Sequence, residues 1–265
     1  MSLTRASTDI RDDAGLAADL VTEAGRLAAD MRREGLRAQH KKSISDVVTA
    51  ADRAAERLIA DHLAAWRPND GVLGEEGAFR EGTSGRRWII DPVDGTYNFV
   101  QGLTWWCSAV ALVDGDDLLF GAVYHPQEDA LYVGGPHLSS TRNGARILPL
   151  ADRPLADVCA ATYLNPARID SEVAAAFGRA ARGAAALRML GSGTMDAMAI
   201  AQGQLGVYFQ HSVPEWDWLP GLAVIEGVGG IGRQVEAAGV TWSVAGAPSA
   251  VDEVCERLAS AQNGT

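Results

Sequence analysis

Trp88-Ile89-Ile90-Asp91-Pro92-Val93-Asp94-Gly95-Thr96-Tyr97-Asn98-Phe99 is the stretch that decides how the chain is read. The apolar run Trp88 to Ile90 predicts a buried strand. Two carboxylates, Asp91 and Asp94, follow in a turn rich in Pro and Gly. Proline at 92 disfavours helical backbone at Asp91, so the strand is expected to stop there. Gly95 and Thr96 open the next element, with Thr96 expected as its N-cap. Two acids and a set of helix-terminal N–H groups would then face one point. Hard divalent cations take carboxylate oxygens, and a phosphate takes such N–H groups. The same residue types also build ordinary solvated turns, so the surroundings must decide.

Upstream, residues 14–38 are expected to be helical, with Leu16, Leu20, Ala24, Leu27, Ala28 and Met31 at helical spacing. Lys41 to Asp46 reads as a polar loop. Asp46 or Thr49 would cap a second helix over about 50–65, with Asp52 in its first turn, where the helix dipole favours a carboxylate. Val72 to Gly77 predicts a short strand ending in Glu75 and Glu76, close enough in sequence to add a third carboxylate to the Asp91–Asp94 turn.

Downstream, Cys107–Val113, Leu118–Tyr124 and Ala130–Val133 are separated by turn signals, and Asn143-Gly144 marks a further hairpin. An antiparallel meander follows from this spacing. Residues 150–157 read as a linker, dividing the chain into a first half, 1–150, and a second, 151–265. The second half alternates: strand 158–163, helix 171–182, strand 185–190, helix 194–202 and strand 205–209. A loop is expected over 210–215, then a helix from Trp216 through Ile225, a strand over 240–246 and a closing helix from Asp252 to Ala261. The fold class is therefore α/β, with an α+β first half.

The 265 residues are 47% hydrophobic and 22% charged, a globular composition. A net charge of −11 makes a nucleic-acid polymer an unsuitable partner. Cys107, Cys159 and Cys255 form neither a disulfide framework nor a zinc pattern, which suits a reducing cytoplasm. Residues 1–13 lack an apolar secretory core, and no window is apolar enough to span a bilayer, so no membrane partner is expected.

The five histidines are scattered, so zinc chemistry is disfavoured, and oxygen-rich ligation points to magnesium or manganese. No GxSxG or P-loop pattern occurs. Gly227 to Gly232 does match GxGxxG, with Asp252 at a suitable distance for a ribose acid. A dinucleotide fold needs a strand before that motif and a helix after it, and here a helix precedes and a β-prone segment follows. Gly191-Ser192-Gly193 fits either a plain turn or a helix start that offers N–H groups to a ligand.

The Asp91 to Phe99 segment resembles the DPxDGTxNF signature of the inositol monophosphatase family of metal-dependent phosphatases. Val72 to Glu76 is similar to that family's GEE strand end, Trp216-Asp217 with Gly221 to its WDxxxG segment, and Lys41, Asp46 and Asp52 to its K…D…D segment. These blocks occur in the family's order. The resemblance implies a layered αβαβα sugar-phosphatase fold and a homodimer. It implies two or three Mg²⁺ ions on Glu75, Asp91, the Val93 carbonyl, Asp94 and Asp217, with Mn²⁺ as an alternative. Thr96, oriented by Asp52, would position the attacking water together with Glu75, and the N–H groups of Gly95 and Thr96 would hold the phosphate. Gly191, Ser192 and Gly193 would contact the sugar-like part of the substrate, with Lys41 and Asp46 in support. Gln210 stands where inositol-preferring members carry a glutamate, and Trp218 and Pro220 are bulkier than the residues usual after the Trp-Asp pair.

The function expected is hydrolysis of a small polyol or sugar-like phosphate, with inositol-1-phosphate first. Histidinol phosphate and 3′-phosphoadenosine 5′-phosphate are alternatives, the nucleotide disfavoured by the anionic chain. A regulatory protein on the same fold is the rival from another class. Keeping a full set of mutually repelling acids without a cation would be costly, which weighs against it.

Overall fold

A computed structural model describes residues 10–35, 38–40 and 47–260, with only the backbone of 38–40 and 47–49. The chain opens with α1 (Ile10–Arg33), β1 (Ala38–His40), β2 (Val47–Thr49) and α2 (Ala50–Trp66). Next come β3 (Gly71–Gly74), β4 (Phe79–Arg80), β5 (Arg86–Asp94) and the short α3 (Thr96–Gln101). A meander follows: β6 (Cys107–Asp114), β7 (Asp117–His125), β8 (Ala130–Gly135), β9 (Leu138–Arg142) and β10 (Ala145–Arg146). The remainder is β11 (Cys159–Thr162), α4 (Glu172–Ala181), β12 (Ala186–Arg188), α5 (Gly193–Ala201) and β13 (Val207–His211). It closes with α6 (Glu215–Glu226), β14 (Ile231–Ala237), β15 (Val240–Gly246) and α7 (Pro248–Ala259).

Two sheets result. The larger runs β10-β9-β8-β7-β6-β5-β3-β4, antiparallel except where β3 lies parallel to β5. The smaller runs β12-β11-β13-β15-β14, with β11 parallel to both β12 and β13. Periodicity explains the layering. Leu16, Leu20, Ala24, Ile59 and Leu63 form apolar stripes on α1 and α2, which pack on Trp88, Ile90, Val110 and Phe120 of the large sheet. The opposite face of that sheet meets Met198, Ile200, Val224 and Ile225 of α5 and α6, which also touch Tyr208 and Ala245 of the small sheet. Val173, Ala176, Val251 and Val254 of α4 and α7 cover the far face of the small sheet. Helices, sheet, helices, sheet, helices: the fold is the layered α/β one expected. The middle layer is shared by both sheets, and a Cβ at Gly121 on β7 would lie 2.4 Å from the Pro220 carbonyl oxygen of α6, so the close approach of that helix requires glycine there.

Several expectations need correction. The first helix ends at Arg33 instead of running to 38, because Gly35 turns the chain at φ 94° and residues 38–40 pair with 47–49. The polar loop Lys41 to Asp46, and with it the proposed Asp46 cap, lies outside the described residues. Strand β5 does not stop at Asp91. It continues to Asp94 by shifting register against β6 between Asp91 and Asp94, a bulge that accommodates Pro92 without a ladder hydrogen bond. Thr96 is not the N-cap of α3. Gly95 is, at φ 91°, where a Cβ would sit 3.0 Å from the Trp105 carbonyl oxygen.

Residues 210 and 211 belong to β13, not to a loop. The closing helix begins at Pro248, four residues before Asp252. Proline presets its first turn, and Asp152 accepts from both N–H and hydroxyl of Ser249 at 2.8 Å, a cap from 97 residues away. Strand β14 was not foreseen. It follows the Gly227–Gly230 turn directly, so the GxGxxG segment joins a helix to a strand, opposite to the dinucleotide arrangement.

Candidate active site

The bulge in β5 places Asp91 and Asp94 at one end of the large sheet. Asp217, in the first turn of α6, reaches the same point from the second half of the chain. One carboxylate oxygen from each of the three lies within 4.8 Å of the others. Glu75 follows β3, the parallel neighbour of β5, and its N–H donates to the Ile90 carbonyl at 3.2 Å. It lines the same cavity, of about 860 Å³, but is not one of the tight three.

The electrostatics are those of crowded, dry carboxylates. Burial, then Asp217, Glu76, Asp52 and Asp94, push the Glu75 carboxyl up to about 9. Burial and then Asp94 push Asp217 up to about 7. Asp91 is raised well above the ordinary range by burial, then by Glu75, Asp94 and Asp217. Both of its oxygens are buried and, among the described residues, neither meets a hydrogen-bond donor. Protein satisfies nearly all such atoms, so two orphaned oxygens among repelling acids fit a divalent cation.

Asp94 differs. Its Oδ2 accepts from the Ser192 hydroxyl at 2.9 Å and from the Thr194 N–H, in the first turn of α5, at 2.6 Å. These bonds partly offset the effect of its burial, which raises its pKa. Thr96 donates its hydroxyl to the Val93 carbonyl at 3.0 Å, with Asp52 Oδ1 at 3.4 Å, a long contact. Asp52 itself is fully buried in the first turn of α2.

Of the residues foreseen, the cavity lining includes Glu75, Asp91, Val93, Asp94, Gly95 and Thr96. Gly191, Ser192, Gly193, Gln210 and Asp217 line it too. Lys41 and Asp46 lie outside the described residues.

Other participants were not foreseen as site residues. Glu56 on α2 accepts from the N–H groups of Glu76 and Ala78, both at 2.7 Å, and so holds the turn that carries Glu75. Asn98 donates to the Trp105 and Leu190 carbonyls at 2.8 and 2.7 Å, drawing Gly191 against α3. Asp196 lines the cavity, accepts from the Trp105 indole at 3.0 Å, and is pushed up to about 8 by burial. Asn98 stood inside the signature stretch. The partners of Glu56 and Asp196 lie 20 to 91 residues away, where no spacing rule reaches.

Residues 10–262 match the model of the inositol monophosphatase family. The chain belongs to that family. It is accordingly a phosphoric monoester hydrolase, and the family is metal-dependent, as the acid cluster suits. Among curated relatives, an inositol-1-monophosphatase of Rhizobium meliloti is 32% identical over 205 residues, covering 75% of this chain and 76% of its own. A fructose-1,6-bisphosphatase/inositol-1-monophosphatase of Thermotoga maritima is 28% identical, covering 73% of each. Human inositol monophosphatase 2 is 29% identical over 81% of this chain and 77% of its own. Among solved structures, the extragenic suppressor protein SuhB of Bartonella henselae superposes with a TM-score of 0.85 at 24% identity, over 96% of this chain and all of the other, a likeness of fold. The Thermotoga maritima IMPase gives 0.81 at 25% identity over 93% and 96%.

Proposed function

We propose that the chain is a Mg²⁺-dependent phosphomonoesterase of a small polyol or sugar-like phosphate, inositol-1-phosphate being the first candidate. The observation that carries this reading is Asp91, whose two buried oxygens have, among the described residues, no donor and only other acids as charged neighbours. Glu75, Asp91, the Val93 carbonyl, Asp94 and Asp217 are the ligands; oxygen donors throughout favour magnesium, with manganese as a substitute. When bound, the cations neutralise the phosphate and lower the pKa of a coordinated water. Thr96 receives the water's hydrogen bond and passes its own to Val93 or Asp52, orienting the water in line with the ester bond. The N–H groups of Gly95 and Thr96 grip the phosphate, and Ser192 and Thr194 hold Asp94 in place. Hydrolysis breaks the bond from phosphorus to the ester oxygen and forms one to the water oxygen; the proton that the water gives up balances the one that the leaving alkoxide takes, so the products are an alcohol and hydrogen phosphate.

On this reading the first half, 1–150, supplies Glu75, Asp91 and Asp94, and the second, 151–265, supplies Asp217 and the 191–193 turn. A homodimer in a reducing cytoplasm completes it, and three free thiols favour that compartment. Phosphate release from inositol-1-phosphate is the test, with Mg²⁺, with chelator, and in Asp91→Asn. Magnesium-dependent turnover lost in the variant is expected. Turnover unaffected by chelation would refute the reading.

A further inference from the structure

The turn that opens α3 is clamped from outside. Gly95, at φ 91°, has the Trp105 carbonyl oxygen on one side and the Gly191-Ser192 segment on the other. A Cβ there would lie 3.0 Å from the Trp105 oxygen, 3.1 Å from Ser192 Cβ and 3.2 Å from the Gly191 oxygen. Asn98 closes the clamp, its amide donating to the Trp105 carbonyl at 2.8 Å and to the Leu190 carbonyl at 2.7 Å. Where the Trp105 backbone sits therefore governs how the Gly95 and Thr96 N–H groups face the cavity.

Trp105 is fixed in turn by its side chain. The ring is half-buried, and its indole N–H donates to Asp196 Oδ1 at 3.0 Å. Asp196 is buried on α5 and lines the cavity. Two residues earlier on that helix, the Thr194 N–H donates to Asp94 at 2.6 Å. On another side the Trp105 ring meets His125 edge-on at 6.3 Å, and His125 Nε2 donates to the neighbouring Thr104 carbonyl at 2.9 Å. One helix thus holds Asp94 through a backbone N–H and the 103–106 loop through an acid. The indole bond needs an acceptor oxygen at position 196 and no charge there, so an amide oxygen would serve it as a carboxyl oxygen does.

Building on the phosphatase reading, we propose that Asp196 and Trp105 are positioning residues for the turn that grips the phosphate. Asp196 anchors the Trp105 indole, and the Trp105 carbonyl sets the backbone from Gly95 to Asn98. Loss of the bond should then weaken the hold on phosphate and leave the hold on the cation, whose acids are placed by other contacts. A tie that served stability alone would change melting and nothing else.

Four variants separate these outcomes: Trp105→Phe, which removes the N–H and keeps a ring, Asp196→Ala, Asp196→Asn, and Trp105→Phe with Asp196→Ala. Binding of inorganic phosphate in the presence of Mg²⁺ is measured by calorimetry, phosphate release from inositol 1-phosphate by steady-state kinetics at varied Mg²⁺, and folding by thermal unfolding. Trp105→Phe and Asp196→Ala should each weaken phosphate binding and lower kcat/KM about tenfold, with the half-activating Mg²⁺ concentration unchanged. Asp196→Asn should stay close to the wild type. The double variant should lose no more than the worse single one, because both remove the same bond. Variants that melt lower yet bind phosphate and turn over normally would overturn the proposal. So would Asp196→Asn as damaging as Asp196→Ala, or losses that add in the double variant. Absence of Mg²⁺-dependent release by the wild type would instead refute the phosphatase reading, and this proposal with it.

Discussion

Two sets of buried acids sit on the large sheet, and they are treated in opposite ways. Near the N-terminus of α1, Asp13 accepts from Arg67 Nε at 2.7 Å and from an Arg86 guanidinium nitrogen. Beside it, Asp70 accepts from the Trp88 indole at 2.9 Å and from the Ser84 hydroxyl at 2.7 Å. At the other set, Asp91 has carboxylates as its charged neighbours and, among the described residues, no donor on either oxygen. Burial and residue type are alike; what differs is whether the protein supplies the partner. Asp13 and Asp70 are finished by the chain itself, tying α1, α2 and β5 together. Asp91 has no such donor among the described residues, which is what an acid kept for a cation would show.

Substitutions should break this contrast in opposite directions. Asp91→Asn is the largest: loss of cation-assisted charge stabilisation should cut phosphate release by roughly 10³-fold or more, while the metal-free protein melts higher because a buried acid that must stay protonated or repel its neighbours is gone. An inactive variant whose metal-free melting temperature fell would place Asp91 with the structural acids. Asp13→Ala should do the reverse. Removing the shared acceptor of two partly buried arginines should cost about 3–5 kcal/mol in urea unfolding, with kcat nearly unchanged. A smaller effect is expected at Thr96→Ala, roughly 10²-fold in kcat with metal affinity retained, and Thr96→Ser should recover most of it. Equal activity of the alanine variant would remove Thr96 from water positioning.

The meeting of the acids was readable because carboxylates carry their chemistry in their type, and Asp91, Asp94 and Asp217 do converge. The route of the backbone through them was harder to read. Pro92 argued for the end of a strand, yet a bulge lets β5 carry both aspartates in one element. Gln210 was expected in a loop over 210–215; pairing with Ser243 on β15 holds it in a strand and gives it Tyr208 as a neighbour. β1 and β2 pair only three residues each, too few for a period to register. The supports of the site, Glu56 under the Glu75 turn and Trp105 on Asp196, are long-range bonds. Only the fold brings them together.

The central claim is that these acids are held together against their own repulsion for a cation. A carboxyl whose pKa folding raises binds more protons folded than unfolded, so stability falls as pH climbs between its ordinary and raised values. For Asp217 that window runs from 3.8 to about 7, and for Glu75 from 4.5 to about 9. Thermal unfolding of the chelator-treated protein between pH 5 and 9, with and without Mg²⁺, measures this directly. The melting temperature should drop as pH rises without metal, and Mg²⁺ should restore it, most strongly at the alkaline end. A metal-free melting temperature that stays level or rises across this range, with no response to Mg²⁺ at pH 9, would contradict the account.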